Sequence, residues 1–203
     1  SQALSERIKR LPASATLAMA AKARELKNEG KDIIGLSLEE PDFNTPDFIK
    51  EAAIEAINAD YNSYTPVDGY AELKEAICEK FKRDNDLDYA PNQIVVSTGA
   101  KQSIANAVQV LINPGDDVLL VAPYWVSYSA IVILAEGNPI EIRSDIETDF
   151  KITPAQLEAA ITPKTKLVML NSPNNPSGSM YSKEEYEALA KVLVKHPDIY
   201  VLS

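Results

Sequence analysis

From Ile94 onward the chain alternates short, unbroken apolar runs with helical segments, and this alternation constrains the fold more than any other feature. The apolar runs occupy residues 94–97, 118–121, 140–143, 167–170 and 199–202. Helical patterns separate most of them, at 101–111, 126–134, 154–161 and 182–194. A strand that is apolar on both faces needs cover on both faces, and a parallel sheet between layers of crossover helices supplies it. The spacing therefore predicts an α/β fold with a largely parallel sheet.

The N-terminal part reads differently. Ser14 is placed to cap a helix running to about Asn28, with Gly30 as its stop. A short apolar run at 33–38 then meets Pro41 and Pro46. Thr45-Pro46-Asp47 forms a helix entry with a capping hydroxyl, an early proline and an acid facing the positive helix end. That helix is expected to reach about Asn58. A tyrosine-rich loop over 61–69 leads into an amphipathic helix whose stripe holds Tyr70, Leu73, Ile77, Cys78 and Phe81. No repeat, low-complexity tract or linker interrupts the chain.

Composition narrows the function classes. The 203 residues carry 30 acidic and 20 basic side chains, a formal net charge of -10, which disfavours a nucleic-acid phosphate backbone as partner. Cys78 is the sole cysteine, so no internal disulfide forms, and in its apolar stripe it reads as a small buried hydrophobe. His196, the only histidine, precedes Pro197 at a helix end and lacks the companions that a zinc site or a Ser-His-Asp triad requires. No apolar run approaches membrane-spanning length and residues 1–10 contain no signal-like apolar region, so the expected location is cytoplasmic.

Three strand ends carry unusual residues, and strand ends are where such sheets bind ligands. After 94–97 comes Thr98-Gly99-Ala100-Lys101-Gln102, a small-residue turn opening a helix. It is either simple turn geometry or an anion cradle of backbone N–H groups with the Lys101 charge beside it. It is not a Walker A loop, because no Gly-Lys-Ser/Thr follows at the required spacing. After 118–121 comes Ala122-Pro123-Tyr124-Trp125, and the single tryptophan either stacks on a planar ligand or plugs the core. After 167–170 comes Asn171-Ser172-Pro173-Asn174-Asn175-Pro176-Ser177-Gly178, where two prolines stiffen a loop bearing three side-chain amides. Anion cradle, stacking ring and amide donor together suit a planar, phosphorylated aromatic ligand.

These segments, with Tyr64-Thr65-Pro66-Val67-Asp68-Gly69 and Glu40-Pro41-Asp42-Phe43, resemble the class I aminotransferases, most of all bacterial aspartate aminotransferases. The resemblance covers nearly the whole chain. It implies the three-layer αβα large domain of the pyridoxal-phosphate-dependent transferase fold, incomplete here, with an N-terminal arm and part of the small domain. Residues 1–45 would form the arm and small-domain portion, and 46–203 the N-terminal part of the cofactor-binding large domain. By the same resemblance, Gly99, Ala100 and Lys101 hold the phosphate of pyridoxal 5'-phosphate and Trp125 stacks on its ring. Asn175 donates to the ring's phenolic oxygen and helps bind the substrate α-carboxylate, and Tyr64 reaches the phosphate of the other subunit of a homodimer. The implied reaction moves an amino group from aspartate or glutamate to a 2-oxo acid.

Two departures from the family stand out. Glu39 occupies the position of a glycine that contacts substrate, and its carboxylate would repel an incoming α-carboxylate. The chain also ends at Ser203, before the family's cofactor-linked lysine, its carboxylate-gripping arginine and the strand that would pair with 94–97. The expectation is an N-terminal fragment, inactive alone, with no catalytic lysine of its own and a possible complementary C-terminal chain. Two alternatives remain: a class I enzyme for aromatic amino acids, alanine or aminocyclopropane-carboxylate synthesis, or a non-catalytic module whose cofactor loops are relics.

Overall fold

The computed structural model describes residues 3–13, 15–35 and 42–203. The expected cap Ser14 and the residues Glu39, Glu40 and Pro41 lie outside the described residues. In chain order the helices and strands are α1 (Glu6–Lys9), α2 (Ala15–Asn28), α3 (Asp47–Asn58), α4 (Ala71–Asn85), α5 (Ala100–Leu111), β1 (Asp117–Ala122), α6 (Ser127–Leu134), β2 (Asn138–Arg143), α7 (Pro154–Ala160), β3 (Thr165–Met169), α8 (Lys183–Leu193) and β4 (Tyr200–Leu202). The chain divides into two units, residues 14–99 and residues 1–13 with 100–203.

In the second unit the four strands pair in the order β2-β1-β3-β4, all parallel. Side chains alternate along the strands, as the two-residue period requires. Val118 and Leu120 of β1 join Leu167 and Met169 of β3 in one buried cluster with Val108, Ile112, Ile131 and Val132 from α5, α6 and the turn after α5. Leu119 and Val168 face the other way, into a cluster with Leu157 of α7 and Leu189 and Val192 of α8. The sheet is thus covered on both faces, and the expected α/β layering is present. Gly137 marks a tight point at the entry to β2: a Cβ there would stand 2.7 Å from Ile112 Cγ2. Asp117, buried at the start of β1, accepts hydrogen bonds from Asn138 Nδ2 at 3.2 Å and Thr162 Oγ1 at 2.8 Å.

The helix starts follow local chemistry. Thr153 caps α7 ahead of Pro154, and Ser182 caps α8 through a reciprocal box. The Glu185 N–H donates to Ser182 Oγ at 3.2 Å, and the Ser182 N–H donates to Glu185 Oε2 at 2.7 Å. Lys151 Nζ lies 2.8 Å from the same carboxylate. The Lys151 ammonium first, and the Ser182 N–H second, hold the Glu185 carboxyl below its ordinary range. A depressed carboxyl contributes stability above its unfolded pKa and loses it as pH falls through the folded one. Ser182→Ala keeps the Ser182 N–H and removes only the hydroxyl that accepts the Glu185 N–H, so it is expected to lower unfolding free energy by about 1 kcal/mol through the cap itself. Urea denaturation at neutral pH checks this.

In the 14–99 unit, α3 and α4 form where the pattern places them. The α3 entry differs in detail: Pro46 is the cap residue and makes no side-chain cap bond, so Thr45 is not the cap. Residues 94–97 form no strand, a correction to the sequence reading. The Val96 N–H donates to the Asp68 carbonyl at 3.0 Å, Val95 is exposed, and no strand pairs with the segment among the described residues. Cys78 is half-buried rather than buried, and Leu73 beside it is exposed. Among the described residues of this unit only Ala20 is buried, while Phe48, Ile54, Ile57, Tyr64 and Val67 are all exposed.

Candidate active site

Open parallel sheets bind ligands beyond the strand carboxyl ends, where successive crossovers leave in opposite directions. Here α6 leads from β1 out to β2, and the next crossover, through α7, returns past β1 to β3. The switch point therefore lies between β1 and β3. Their exits are Pro123-Tyr124-Trp125 and the loop over 170–179, two of the three segments singled out from the sequence.

A side-chain hydrogen bond joins these exits. Asn174 Nδ2 donates to the Pro123 carbonyl at 3.0 Å and to Ser177 Oγ at 2.8 Å. Its backbone is held as well, the N–H donating to the Ser179 carbonyl at 2.9 Å and the carbonyl accepting from the Gly178 N–H at 2.7 Å. Asn171 Oδ1 accepts the Asn175 N–H at 2.9 Å. Two of the three amides thus fix the loop itself. The Asn175 carboxamide, half-buried, has no hydrogen-bond partner among the described residues. On the far side of β1, Ser144 at the exit of β2 donates its N–H to the Ala122 carbonyl at 3.2 Å, and its hydroxyl donates to the same oxygen. Three neighbouring strand exits are thereby linked side by side.

The loop is also supported from behind. The Tyr181 N–H donates to Ser172 Oγ at 3.0 Å, and the Tyr181 hydroxyl accepts the Ile152 N–H at 2.9 Å. Burial pushes the Tyr181 phenol above its ordinary pKa, partly offset by that N–H, so the ring stays neutral in its packed position.

Trp125 does not plug the core. It is half-buried, lies outside both buried clusters, and meets Tyr128 edge-on at 5.6 Å. Tyr128 in turn stacks on Tyr124 at 6.4 Å, and burial raises its phenol pKa. Lys101, the second residue of α5, places Nζ 4.9 Å from the Trp125 ring centroid. The first-turn N–H groups of α5 have no acceptor within the helix, and no acidic residue stands in that turn to neutralise its positive end. Gly99, just before α5, has φ +81 and open space where a Cβ would sit, so backbone conformation is what requires glycine there. Its own N–H donates to the Ser97 carbonyl at 2.8 Å. Gly99 and Tyr64 belong to the 14–99 unit, in which Tyr64 is fully exposed.

The arrangement offers an aromatic face, a cation, an uncommitted carboxamide and a positive helix start, a set suited to a flat, anionic ligand. Residues 31–203 match the model for aminotransferases of class I and II. The chain belongs to that family.

Among curated aminotransferases, the chain is 56% identical over 198 residues to the aspartate/prephenate aminotransferase of Nitrosomonas europaea. It is 52% identical over 200 residues to the enzyme of the same name from Cereibacter sphaeroides. Each alignment covers 98% of this chain and 50% of the relative, so the chain spans about half the length of the curated relatives it matches. Solved aspartate aminotransferases agree in fold: that of Rhizobium meliloti superposes with a TM-score of 0.94 at 46% identity, covering 98% of this chain and 50% of the other. The Thermus thermophilus enzyme with maleate gives 0.94 at 43%, covering 99% and 52%. Class I and II aminotransferases depend on pyridoxal phosphate, and the residues here fit it. Trp125 has a partly accessible indole, the Asn175 carboxamide has no hydrogen-bond partner among the described residues, and no acidic residue stands in the first turn of α5.

Sequence reasoning found these residues but not the bond between Asn174 and Pro123. Three amides in one loop look alike in sequence, and only the fold brings residue 174 against a carbonyl 51 positions away. Ser144 gave no signal, since a serine after a strand is ordinary. Among the described residues no group of acidic, histidine or cysteine side chains is arranged to hold a metal, and no helix is long and apolar enough to cross a membrane. His196 is one wall of an apolar groove between α8 and β4, beside Leu193, Pro197 and Ile199.

Proposed function

We propose that this chain is the N-terminal half of a cytoplasmic, homodimeric pyridoxal-phosphate enzyme that transfers the amino group of aspartate to 2-oxoglutarate. The observation that supports it most is the pairing of Trp125 and the uncommitted Asn175 amide on strand exits joined at the switch point. When bound, the cofactor supplies the electron sink for the amino-group transfer. The protein's part is to bind and orient. Trp125 holds the ring by its face, and Asn175 donates Nδ2–H to the phenolic oxygen and assists with the substrate α-carboxylate. The start of α5, through Gly99, Ala100 and Lys101, receives the phosphate, with Tyr64 reaching it from the other protomer.

Residues 1–45 would serve as arm and small-domain portion and 46–203 as cofactor domain. Glu39 would sit beside the substrate α-carboxylate. The lysine that holds the cofactor covalently and the arginine that grips the carboxylate would come from the remaining half, on the same or a complementary chain. A second acceptor has support of its own: the two curated relatives described above are named for prephenate as well as aspartate.

Activity with aspartate and either 2-oxoglutarate or prephenate, followed as oxaloacetate release from the complete enzyme, tests the substrate assignment. A complete enzyme active on neither pair overturns it. For the cofactor, Trp125→Ala is expected to weaken binding by about tenfold to a hundredfold, the usual range for losing a stacked ring. Equilibrium dialysis measures it, and unchanged affinity removes Trp125 from the site.

A further inference from the structure

Around the strand exits, the Asn174 side chain joins the β1 exit to the β3 exit. Its Nδ2 reaches the Pro123 carbonyl, two residues before Trp125, and its own peptide leads directly into Asn175. Among the described residues no other side-chain hydrogen bond is recorded between the 123–125 segment and the 171–178 loop. Its backbone N–H and carbonyl are both engaged within the loop, which fixes the main chain from which the side chain reaches Pro123. Ser144, tied to Ala122, fixes the other side of the same β1 exit.

We infer that Asn174 is a positioning residue that sets the spacing between Trp125 and Asn175, and so decides how well Asn175 can donate to a ring stacked on Trp125. The inference rests on the cofactor reading above. A carboxamide donor works within a few tenths of an ångström, and its strength falls steeply outside that window. Cutting the Asn174–Pro123 bond frees the two exits to drift apart. The loss then appears at Asn175, although Asn174 itself touches no ligand.

The test is a double-variant cycle in the complete enzyme, read from the pH midpoint of the bound cofactor's visible absorbance. A donor on the phenolic oxygen makes that oxygen less basic, so removing the donor moves the midpoint up. Asn175→Ala is expected to raise it by roughly one unit. Asn174→Ala is expected to raise it by about half a unit and to weaken cofactor binding about fivefold, the size of one lost neutral hydrogen bond. Because Asn174 acts through Asn175, the two together should shift the midpoint no further than Asn175→Ala alone. Ser179→Ala, which removes a hydrogen bond to Asp149 from the same loop, should leave the midpoint in place.

Asn174→Leu, of similar size, uncharged and without the donor, gives the same reading where the alanine variant fails to accumulate. An unmoved midpoint in Asn174→Ala or Asn174→Leu overturns the inference, as does a shift of equal size in the Asn175→Ala background. A complete enzyme that takes up no cofactor overturns the cofactor reading itself, and this inference with it.

Discussion

Assayed with aspartate and 2-oxoglutarate, the 203-residue chain by itself is expected to turn over at least about 10⁴-fold more slowly than the complete enzyme. On the proposed reading the residues gathered at the β1 and β3 exits bind and orient, and neither nearby lysine is placed as a free nucleophile. Lys101 stands over the Trp125 ring. Lys151 lies between Asp149 and Glu185, and the Glu185 carboxylate above all raises its pKa, keeping it an ammonium. An amine attacks a carbonyl only when deprotonated. Supplying the remaining half in trans should restore turnover. A rate from the chain alone within tenfold of the complete enzyme would mean that one of its own lysines carries the chemistry, and the division of roles proposed here would fail.

The second large effect concerns stability. Leu119 in the middle of β1 has no exposed surface, and it packs with Leu157, Val168, Leu189 and Val192 in the layer between the sheet and α7 and α8. Leu119→Ala deletes three carbons from a close-packed site where strand backbones on both sides resist collapse. The expected loss is about 3–5 kcal/mol, a large share of the 5–15 typical of a domain. Leu73→Ala, at an exposed position on α4, should cost far less. Denaturant midpoints of the two variants, compared at equal m-values, decide the matter. Equal losses would mean that the layer around Leu119 is not the stabilising core.

Much of the 100–203 unit was legible from its residues, because β1 and β3 are apolar on both faces and the helices α7 and α8 carry their own start signals. Val118 to Val121 predicts β1 within a residue, and Thr153-Pro154 and Ser182 mark the starts of α7 and α8. The run 94–97 has the same composition but forms no strand. Apolar pattern records what a segment can bury, whereas a strand also needs a neighbour to pair with, and none is present among the described residues. Cys78 illustrates the same limit, since a helical stripe becomes core only where something packs on it. At the site, Trp125 and the amide loop stood out by residue type. The separation of Asn171 and Asn174, which brace the loop, from Asn175, which is left unpaired, depends on fold-level neighbours.

The bond between Asn174 and Pro123 also couples assembly to ligand capture. Its two ends lie 51 positions apart along the chain, at the exits of the paired strands β1 and β3. Closing a loop over so many residues carries an entropic cost, which the pairing of β1 with β3 helps offset. A ligand that recognises the closed arrangement binds the native state and not its precursors. At a hundredfold excess over its dissociation constant it deepens the native basin by about 2.7 kcal/mol. On the proposed reading pyridoxal phosphate is such a ligand, and its supply then helps set how much of the chain is folded.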